Sequence, residues 1–112
     1  GVKFKGTENE KRINLVCNYI QTHATENLTI HKVAALIYLS PSAFCKFFKR
    51  VTGKTFSDYV NDVRIANVCN DLIASDKQIA EIAYQNGFET LTYFNRIFLK
   101  RQKIRPSEYR KL

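Results

Sequence analysis

Cationic and short polar side chains lie together in two segments of this chain of 112 residues, about 50 residues apart. In each segment they occupy the helical positions opposite a pair of phenylalanines spaced i, i+4. The first face carries Ser42, Cys45, Lys46, Lys49 and Arg50, and the second carries Leu91, Thr92, Asn95, Arg96 and Lys100. Such faces could dock on a polyanion, because the cations attract phosphates and the short side chains allow close approach.

The individual side chains indicate which chemical groups these faces could recognise. Arg96 can pair bidentately with guanine, and Asn95 can reach adenine. Leu91 and Thr92 can contact thymine methyl groups, and Lys46 is the counterpart of Arg96 in the first segment. The predicted base-reading residues are Ser42, Cys45, Lys46, Leu91, Thr92, Asn95 and Arg96. The predicted phosphate contacts, which include two helix starts, are Ser40, Lys49, Arg50, Lys54, Thr90, Lys100 and Arg101.

The net charge of +8 favours an acidic partner, and its distribution along the chain is more informative. Residues 1–30 carry a net +1, residues 31–60 carry +4, residues 61–90 carry −3 and residues 91–112 carry +6. Each cationic face therefore belongs to its own basic block. A generic solubilising surface does not need this spacing, although either face taken alone is equally compatible with a solvated helix side.

The elements that position the two faces are predicted to be helices, because apolar residues recur with a period near 3.6 along the chain. The first helix spans about residues 8 to 24. Thr29 can cap a second helix, and Ser40 with Pro41 can begin a third, which ends at Gly53. We find no strand pattern of useful length, so the predicted fold class is all-α with about seven helices.

The second half of the chain is predicted to be helical in the same way. A long helix runs from about Phe56 to Ala74, a short one stops at Gly87, Thr90 caps the next, and Pro106 begins a last turn or two. The apolar positions of the long helix are Phe56, Tyr59, Val60, Val63, Ala66 and either Leu72 or Ile73. The predicted divisions are a leader (1–8), a first subdomain (9–54), a linker helix (55–75) and a second subdomain (76–112).

An internal repeat relates the two halves. Ile30-x-x-Val33-Ala34 recurs as Ile79-x-x-Ile82-Ala83, and Phe44-x-Lys46-x-Phe48 recurs as Phe94-x-Arg96-x-Phe98. Each copy is predicted to be a short helix, a tight turn and a second helix, which is the helix-turn-helix plan.

The turns of the two copies are expected to differ. Gly87 supplies a positive φ easily in the second turn, whereas Tyr38 stands there in the first, so the first turn should be built differently. Ala34 and Ala83 are expected where the two helices of each copy cross closely.

The linker helix gives the predicted geometry a length scale. About 19 residues of helix extend roughly 28 Å, which could hold two reading helices about one DNA turn, roughly 34 Å, apart. One chain could then read two successive major grooves of an asymmetric site. Most aromatic residues fall on the apolar faces, which favours duplex DNA over single-stranded RNA.

Several other classes of protein are disfavoured. Cys17, Cys45 and Cys69 are widely spaced and odd in number, so we expect neither a disulfide framework nor a zinc site, and a reducing cytoplasm fits best. No apolar run reaches membrane-spanning length, and no secretory signal is visible. An enzyme is least favoured, because there is no paired carboxylate set, activated nucleophile, phosphate loop or metal spacing, and no cofactor is expected.

Three stretches carry a family resemblance: Ile79–Phe88, Tyr93–Phe98 and Arg105–Arg110. Together with Leu39–Phe44 they resemble the C-terminal domain of the AraC/XylS regulators, over roughly Asn9 to Leu112. The resemblance implies a bacterial transcription regulator with two helix-turn-helix subdomains that bind promoter DNA, and contact with RNA polymerase in activators. It implies base readers at Ser42, Cys45, Lys46, Leu91, Thr92 and Arg96. It also implies a structural role for Arg64.

Three residues depart from the family pattern. Lys103 stands where glycine is usual, so a strained or reshaped turn is expected. Arg105 and Gln78 replace serine or threonine, so two side-chain caps should be lost. Most relatives carry an N-terminal sensing or dimerising domain. The chain is expected to be either an output domain excised from such a protein or a stand-alone regulator like the short members of the family. Excision is favoured, since the chain starts at Gly1 with an unstructured-looking leader.

Two further functions stay open at this point. Ser42, Cys45 and Leu91 are poor base readers, which permits an architectural DNA binder without sequence preference. Leu91 and the basic faces also permit a protein-interaction module that docks an acidic partner.

Overall fold

The structure, a computed structural model, describes residues 7–112, which form seven helices and contain no strand. The helices are α1 (Glu8–His23), α2 (Ile30–Leu36), α3 (Pro41–Thr52), α4 (Phe56–Ala74), α5 (Ile79–Gln85), α6 (Leu91–Gln102) and α7 (Pro106–Arg110). The predicted all-α class with about seven helices is therefore confirmed. Residues 1–6, most of the predicted leader, lie outside the described residues. No helix within the described range has the length and apolar character that crossing a membrane requires.

The predicted helix starts are fixed by hydroxyl caps. Thr29, Ser40 and Thr90 each accept, through the side-chain oxygen, the backbone N–H of the residue three positions later, at 3.2 Å. Each bond satisfies a donor that has no partner inside its helix. Pro41 occupies the first turn of α3, and Gly53 ends that helix with φ of 79°. Local sequence signals therefore determine where α2, α3 and α6 begin.

The chain forms two compact units, and their boundary falls inside α4. The first unit contains α1, α2, α3 and the start of α4, up to Val60. The second contains residues 24–27 together with the chain from Asn61 onwards. Each unit has its own core.

Aromatic rings dominate the core of the first unit. The rings of Phe44 and Phe48 are fully buried, and their centroids lie 5.6 Å apart. Phe56 meets the Phe44 ring edge-on at 5.7 Å, and Tyr59 meets the Phe48 ring edge-on at 5.6 Å. Buried aliphatic residues from α1 and α2 complete this core: Val16, Ile20, Val33 and Ala34. These contacts hold α3 by its apolar side, so its opposite side faces outward.

The second unit repeats this plan. Phe94 and Phe98 of α6 are fully buried with ring centroids 5.7 Å apart, and Phe88 meets Phe94 at 5.1 Å. Tyr109 of α7 packs edge-on against Phe98 at 5.7 Å. The core is completed by Ile65, Val68, Cys69, Leu72, Ile82, Ala83 and Ile97. Burying each large apolar side chain contributes about 1.5–3 kcal/mol, so this core holds α6 by its apolar side.

The predicted apolar face of α4 is correct in its first turns and at Leu72, which is buried while Ile73 is exposed, but it is wrong in the middle of the helix. Phe56 and Val60 are buried as expected, but Ala66 is exposed, while Ile65 and Val68 are buried. The step from Val60 to Ile65 is five residues, which rotates the buried face by roughly 140°. The rotation occurs because α4 packs first in one unit and then in the other. No single helical face could describe it.

The prediction that the turn at Tyr38 is built differently from that at Gly87 is wrong. Tyr38 has φ of 59° and Gly87 has φ of 97°, so both are left-handed. In both, the N–H donates to the carbonyl three residues earlier, at 3.2 and 3.1 Å. The next N–H donates to the carbonyl five residues earlier, at 3.0 and 3.2 Å. These two backbone hydrogen bonds impose the left-handed conformation on the turn residue. Tyr38 can adopt it because its side chain is 94% exposed and extends into solvent.

The three departures from the family pattern have distinct structural results. Lys103 ends α6 in the left-handed region, with φ of 68°, as expected for a strained position. Gln78 makes no capping hydrogen bond to any described residue. The Arg105 guanidinium has no acceptor with which to cap α7, but Glu108 Oε1 accepts the Arg105 backbone N–H at 2.9 Å. Part of the cap of α7 is therefore supplied from within the helix.

Replacing Lys103 by glycine is expected to raise the free energy of unfolding by about 1 kcal/mol. Glycine adopts the left-handed conformation without the steric cost that a Cβ imposes, which outweighs its greater freedom in the unfolded chain. Urea denaturation of the variant measures the gain. Lys103→Ala is the matched control, since it removes the same charge and keeps the Cβ. Equal stability of the two variants would contradict this explanation.

Candidate nucleic-acid interface

The predicted recognition residues of the first unit share one side of α3. Ser42, Cys45, Lys46, Lys49 and Arg50 are all exposed. They lie opposite the buried phenylalanines of the same helix. Short side chains occupy the N-terminal part of this face and cations the C-terminal part.

The equivalent face of α6 is built in the same order. Thr92, Asn95, Arg96 and Lys100 are exposed. Leu91, at the first position of the helix, is half-buried and packs against the core of the second unit. The structure therefore places Leu91 at the edge of the exposed face, where it contributes to packing.

Arg101 differs from the other predicted phosphate contacts. Its Nε lies 2.6 Å from Asp62 Oδ1, and the two side chains are only 19% and 34% exposed. The contact joins α6 to α4 within the second unit. Because moving a partly buried guanidinium away from its carboxylate is costly, this pairing favours a structural role over the predicted phosphate contact.

The remaining predicted phosphate contacts lie near helix ends and are exposed. Ser40 and Thr90 lie at the N-termini of α3 and α6, where their hydroxyls accept a backbone N–H. Lys54 follows the C-terminus of α3, and its backbone N–H donates to Thr52 Oγ1 at 3.1 Å.

Two residues that support the Arg96 side chain are not predicted from the sequence. The guanidinium carbon of Arg96 lies 5.1 Å from the centre of the Tyr93 ring. The Tyr93 hydroxyl accepts a hydrogen bond from Nδ2 of Asn61, at 2.7 Å, and Asn61 is only 5% exposed. The i, i+3 spacing of Tyr93 and Arg96 was a usable signal, whereas the contact with Asn61 joins residues far apart in sequence.

Arg64 ties the segment after α1 to α4. Its Nε donates to the Ala24 carbonyl at 2.7 Å, and a terminal nitrogen donates to the Glu26 carbonyl at 2.8 Å. Burial lowers the pKa of the Arg64 guanidinium below its usual value, and Tyr93 and Glu89 partly oppose that shift. These bonds agree with the structural role that the family resemblance implies for Arg64.

The last turn of the chain is held by a second arginine. Arg110 Nε donates to the Leu72 carbonyl at 3.1 Å, and a terminal nitrogen donates to the Ser75 carbonyl at 3.1 Å. Leu72 lies in the last turn of α4 and Ser75 directly follows the helix, where a cation also interacts favourably with the helix dipole. Arg110 therefore fixes α7 against the C-terminal end of α4 within the second unit.

The fold and these two faces define the class of the protein, a domain with two helix-turn-helix motifs. Residues 33–112 match the family described as "Helix-turn-helix domain". The chain belongs to this family, and its structural relatives identify it as the AraC type. The AraC/XylS resemblance is therefore confirmed.

Three relatives show the extent of the similarity. The chain is 34% identical over 104 residues to the regulatory protein PocR of Salmonella typhimurium, covering 93% of this chain and 34% of PocR. It is 26% identical to a probable AraC family transcriptional regulator from Rhodopseudomonas palustris, with a TM-score of 0.83 over 90% of this chain and 95% of that one. The DNA-binding domain of AdpA, solved in complex with a target DNA, shares the fold at 23% identity, with a TM-score of 0.83 over 89% of this chain and 90% of that one.

These relatives bear on two predictions. The family and the named proteins are transcription regulators and not enzymes, which confirms the prediction of a non-enzymatic DNA-binding domain of a regulator. The chain spans about a third of the length of PocR.

Proposed function

We propose that this domain recognises a specific DNA sequence by inserting α3 and α6 into major grooves of the duplex. One observation carries the proposal: the second helix of each helix-turn-helix motif presents an exposed face of short side chains followed by cations, opposite a fully buried pair of phenylalanines. The buried rings fix which side of the helix faces outward. The short N-terminal side chains let the helix end approach base edges closely.

The side chains on each face divide into two roles. Arg96 and Asn95 have the donor and acceptor geometry to discriminate guanine and adenine, and Lys46 is the strongest candidate in the first unit. The proposed base contacts remain Ser42, Cys45, Lys46, Leu91, Thr92, Asn95 and Arg96. The proposed phosphate contacts are Ser40, Lys49, Arg50, Lys54, Thr90 and Lys100, which set affinity and register.

The arrangement of the whole site is part of the same proposal. We assign residues 9–54 and 76–112 as the two DNA-binding subdomains and residues 55–75 as the helix that links them. α4 has 19 residues, which corresponds to roughly 28 Å. A linker of that length could place α3 and α6 in two successive major grooves. One chain would then read an asymmetric operator.

The family resemblance extends the proposal to partners of the whole protein. These are promoter DNA, RNA polymerase and an N-terminal sensing or dimerising domain. The proposed location is the cytoplasm, at the bacterial nucleoid, because that is where promoter DNA would be bound.

Replacing Arg96 by alanine is expected to weaken binding to a duplex selected from random sequences by about 1–3 kcal/mol. It should relax the preference at one base pair, because a bidentate contact to guanine is lost. Competition binding against a panel with every base at each position measures both effects. Lys77→Ala is the matched control: it removes an exposed cation of the second unit that lies outside the proposed faces, and the base preference should not change.

The salt dependence of the same binding reaction tests the phosphate contacts. With about six such contacts, affinity should fall on the order of 1,000-fold between 50 and 200 mM salt. Lys49→Ala should make this dependence shallower without changing base preference. A selection that returns no motif would instead favour an architectural DNA binder, and failure to bind any duplex at low salt would favour a protein-interaction module.

A further inference from the structure

The geometry points to Tyr93 as a positioning residue for Arg96, so that the ring sharpens discrimination of the base that Arg96 contacts. This inference rests on the proposed role of α6 in base reading. The guanidinium carbon of Arg96 lies 5.1 Å from the Tyr93 ring centre, within the range of a cation–π interaction. Both side chains belong to α6, one turn apart, and Tyr93 is nearer the N-terminus.

The position of the ring favours the orientation that base reading requires. Long side chains in helices lean toward the helix N-terminus, which is the end of α6 that would enter the groove. A ring three residues before Arg96 therefore holds the guanidinium toward that end. An arginine restrained before binding loses less side-chain entropy when it docks, and fewer of its conformers can reach an incorrect base.

The Tyr93 ring is itself held by the second unit. It is half-buried and packs against the core, with its centroid 6.3 Å from that of Phe88. Its hydroxyl accepts the 2.7 Å hydrogen bond from Asn61, whose amide is buried at the start of the second unit's part of α4. Moving the ring would leave that amide without its partner, which is unfavourable in a buried site. The Tyr93 ring that contacts Arg96 is thus held in place by a residue of α4 as well as by its own helix.

The first unit does not repeat this device. Ala43 stands fifty residues before Tyr93, and Lys46 stands fifty residues before Arg96. In α3 the cation that lies over a ring is Arg50, and its guanidinium carbon is 5.9 Å from the Phe47 ring centre. Arg50 is one of the proposed phosphate contacts. Among the described residues, a ring therefore supports a proposed base reader only in the second unit.

The test compares Tyr93→Leu with Tyr93→Phe in the full chain, using the selected duplex and its single-base variants. Leucine keeps helix propensity and packing but removes the ring face, so discrimination at the Arg96 base pair should fall about two- to fivefold. Phenylalanine keeps the ring and loses only the bond to Asn61. Its thermal midpoint should fall, but its discrimination should stay within twofold of the wild type. A merely structural role would instead make discrimination follow stability in both variants.

A spectroscopic measurement is independent of DNA. The NMR signal of the Arg96 Nε–H group should be displaced by the ring current in the wild type and in Tyr93→Phe. It should move toward the value of an unstacked arginine in Tyr93→Leu. If the leucine variant does not fold, Tyr93→Met replaces it, because methionine also fills the space without a ring. The Arg96 Nε–H signal of that variant should move in the same direction.

The double variants separate the possible failures. In an Arg96→Ala background, Tyr93→Leu should cause no further loss of discrimination, because the group that it positions is absent. If Arg96→Ala relaxes the preference and Tyr93→Leu does not, the positioning role is overturned and the proposed function stands. If Arg96→Ala leaves the preference unchanged, the positioning role and the base-reading role of Arg96 are both overturned. The proposed sequence-specific binding is itself overturned only if the selection returns no motif.

Discussion

Replacing Gly87 by alanine is expected to destabilise the second unit by about 3 kcal/mol or more, although the change adds one methyl group. A Cβ at this position would lie 2.5 Å from the backbone oxygen of Ala24 and 2.7 Å from Nε of Arg64. The first of these atoms belongs to the backbone and cannot rotate away. Overpacking of this kind costs about 1–3 kcal/mol, and the left-handed conformation, at φ of 97°, adds about 1–2 kcal/mol.

Gly53→Ala separates the steric contribution from the conformational one. Gly53 is also left-handed, with φ of 79°, but a Cβ there would meet no described atom within 4 Å. Gly53→Ala should therefore lower the free energy of unfolding by only about 1 kcal/mol. Urea denaturation of both variants gives the comparison, and losses of similar size would contradict the close approach at Gly87. Tyr38, which holds the equivalent position in the first unit, already shows that a side chain is tolerated where space is available.

The helix boundaries could be predicted because the signals that determine them are local. The hydroxyl caps at Thr29, Ser40 and Thr90 depend only on backbone groups three residues away. The outward faces of α3 and α6 could be predicted for a similar reason, since buried phenylalanines at helical spacing fix the opposite side. Both kinds of inference need only the period of one helix.

The buried face of α4 could not be predicted from its own period. The helix contributes Phe56 and Val60 to one core and Ile65 and Val68 to another, so two different faces are buried along it. A sequence-based interpretation assumes one apolar face per helix, and that assumption led to the error at Ala66. Only the division of the chain into two units explains the change.

Contacts between residues that are far apart in the sequence could not be predicted either. The sequence predicts a phosphate contact for Arg101, but it gives no sign of the carboxylate partner, Asp62, which lies 39 positions away. The turn at Tyr38 shows a related limit. Conformational preference alone disfavours tyrosine there, yet two backbone hydrogen bonds impose the left-handed conformation. In both cases tertiary or turn hydrogen bonding outweighs the local preference.

Replacing Arg64 by methionine is expected to lower the free energy of unfolding by about 3 kcal/mol. Methionine keeps most of the apolar stem but removes both donors, which bind the Ala24 and Glu26 carbonyls at 2.7 and 2.8 Å. Hydrogen bonds from a charged donor contribute about 1.5–3 kcal/mol each, and the exposure of the outer bond to Glu26 reduces its share. Arg64→Lys should recover about half of the loss, because one ammonium group cannot reproduce the planar guanidinium contact.

The same variant tests whether Arg64 and Gly87 act together. In the Arg64→Met background, Gly87→Ala should cost less than in the wild type, because the two Arg64 atoms that crowd the new Cβ, Nε and Cζ, are gone. Its cost should not vanish, since the Ala24 oxygen remains 2.5 Å away. Amide hydrogen exchange should also speed up in residues 24–27, which the guanidinium holds against α4. Arg12→Met is the control, because the exposed 3.6 Å pair of Arg12 with Glu8 contributes about 0.5 kcal/mol or less. Strictly additive losses at Arg64 and Gly87, with unchanged exchange in residues 24–27, would show that the arginine does not anchor this segment.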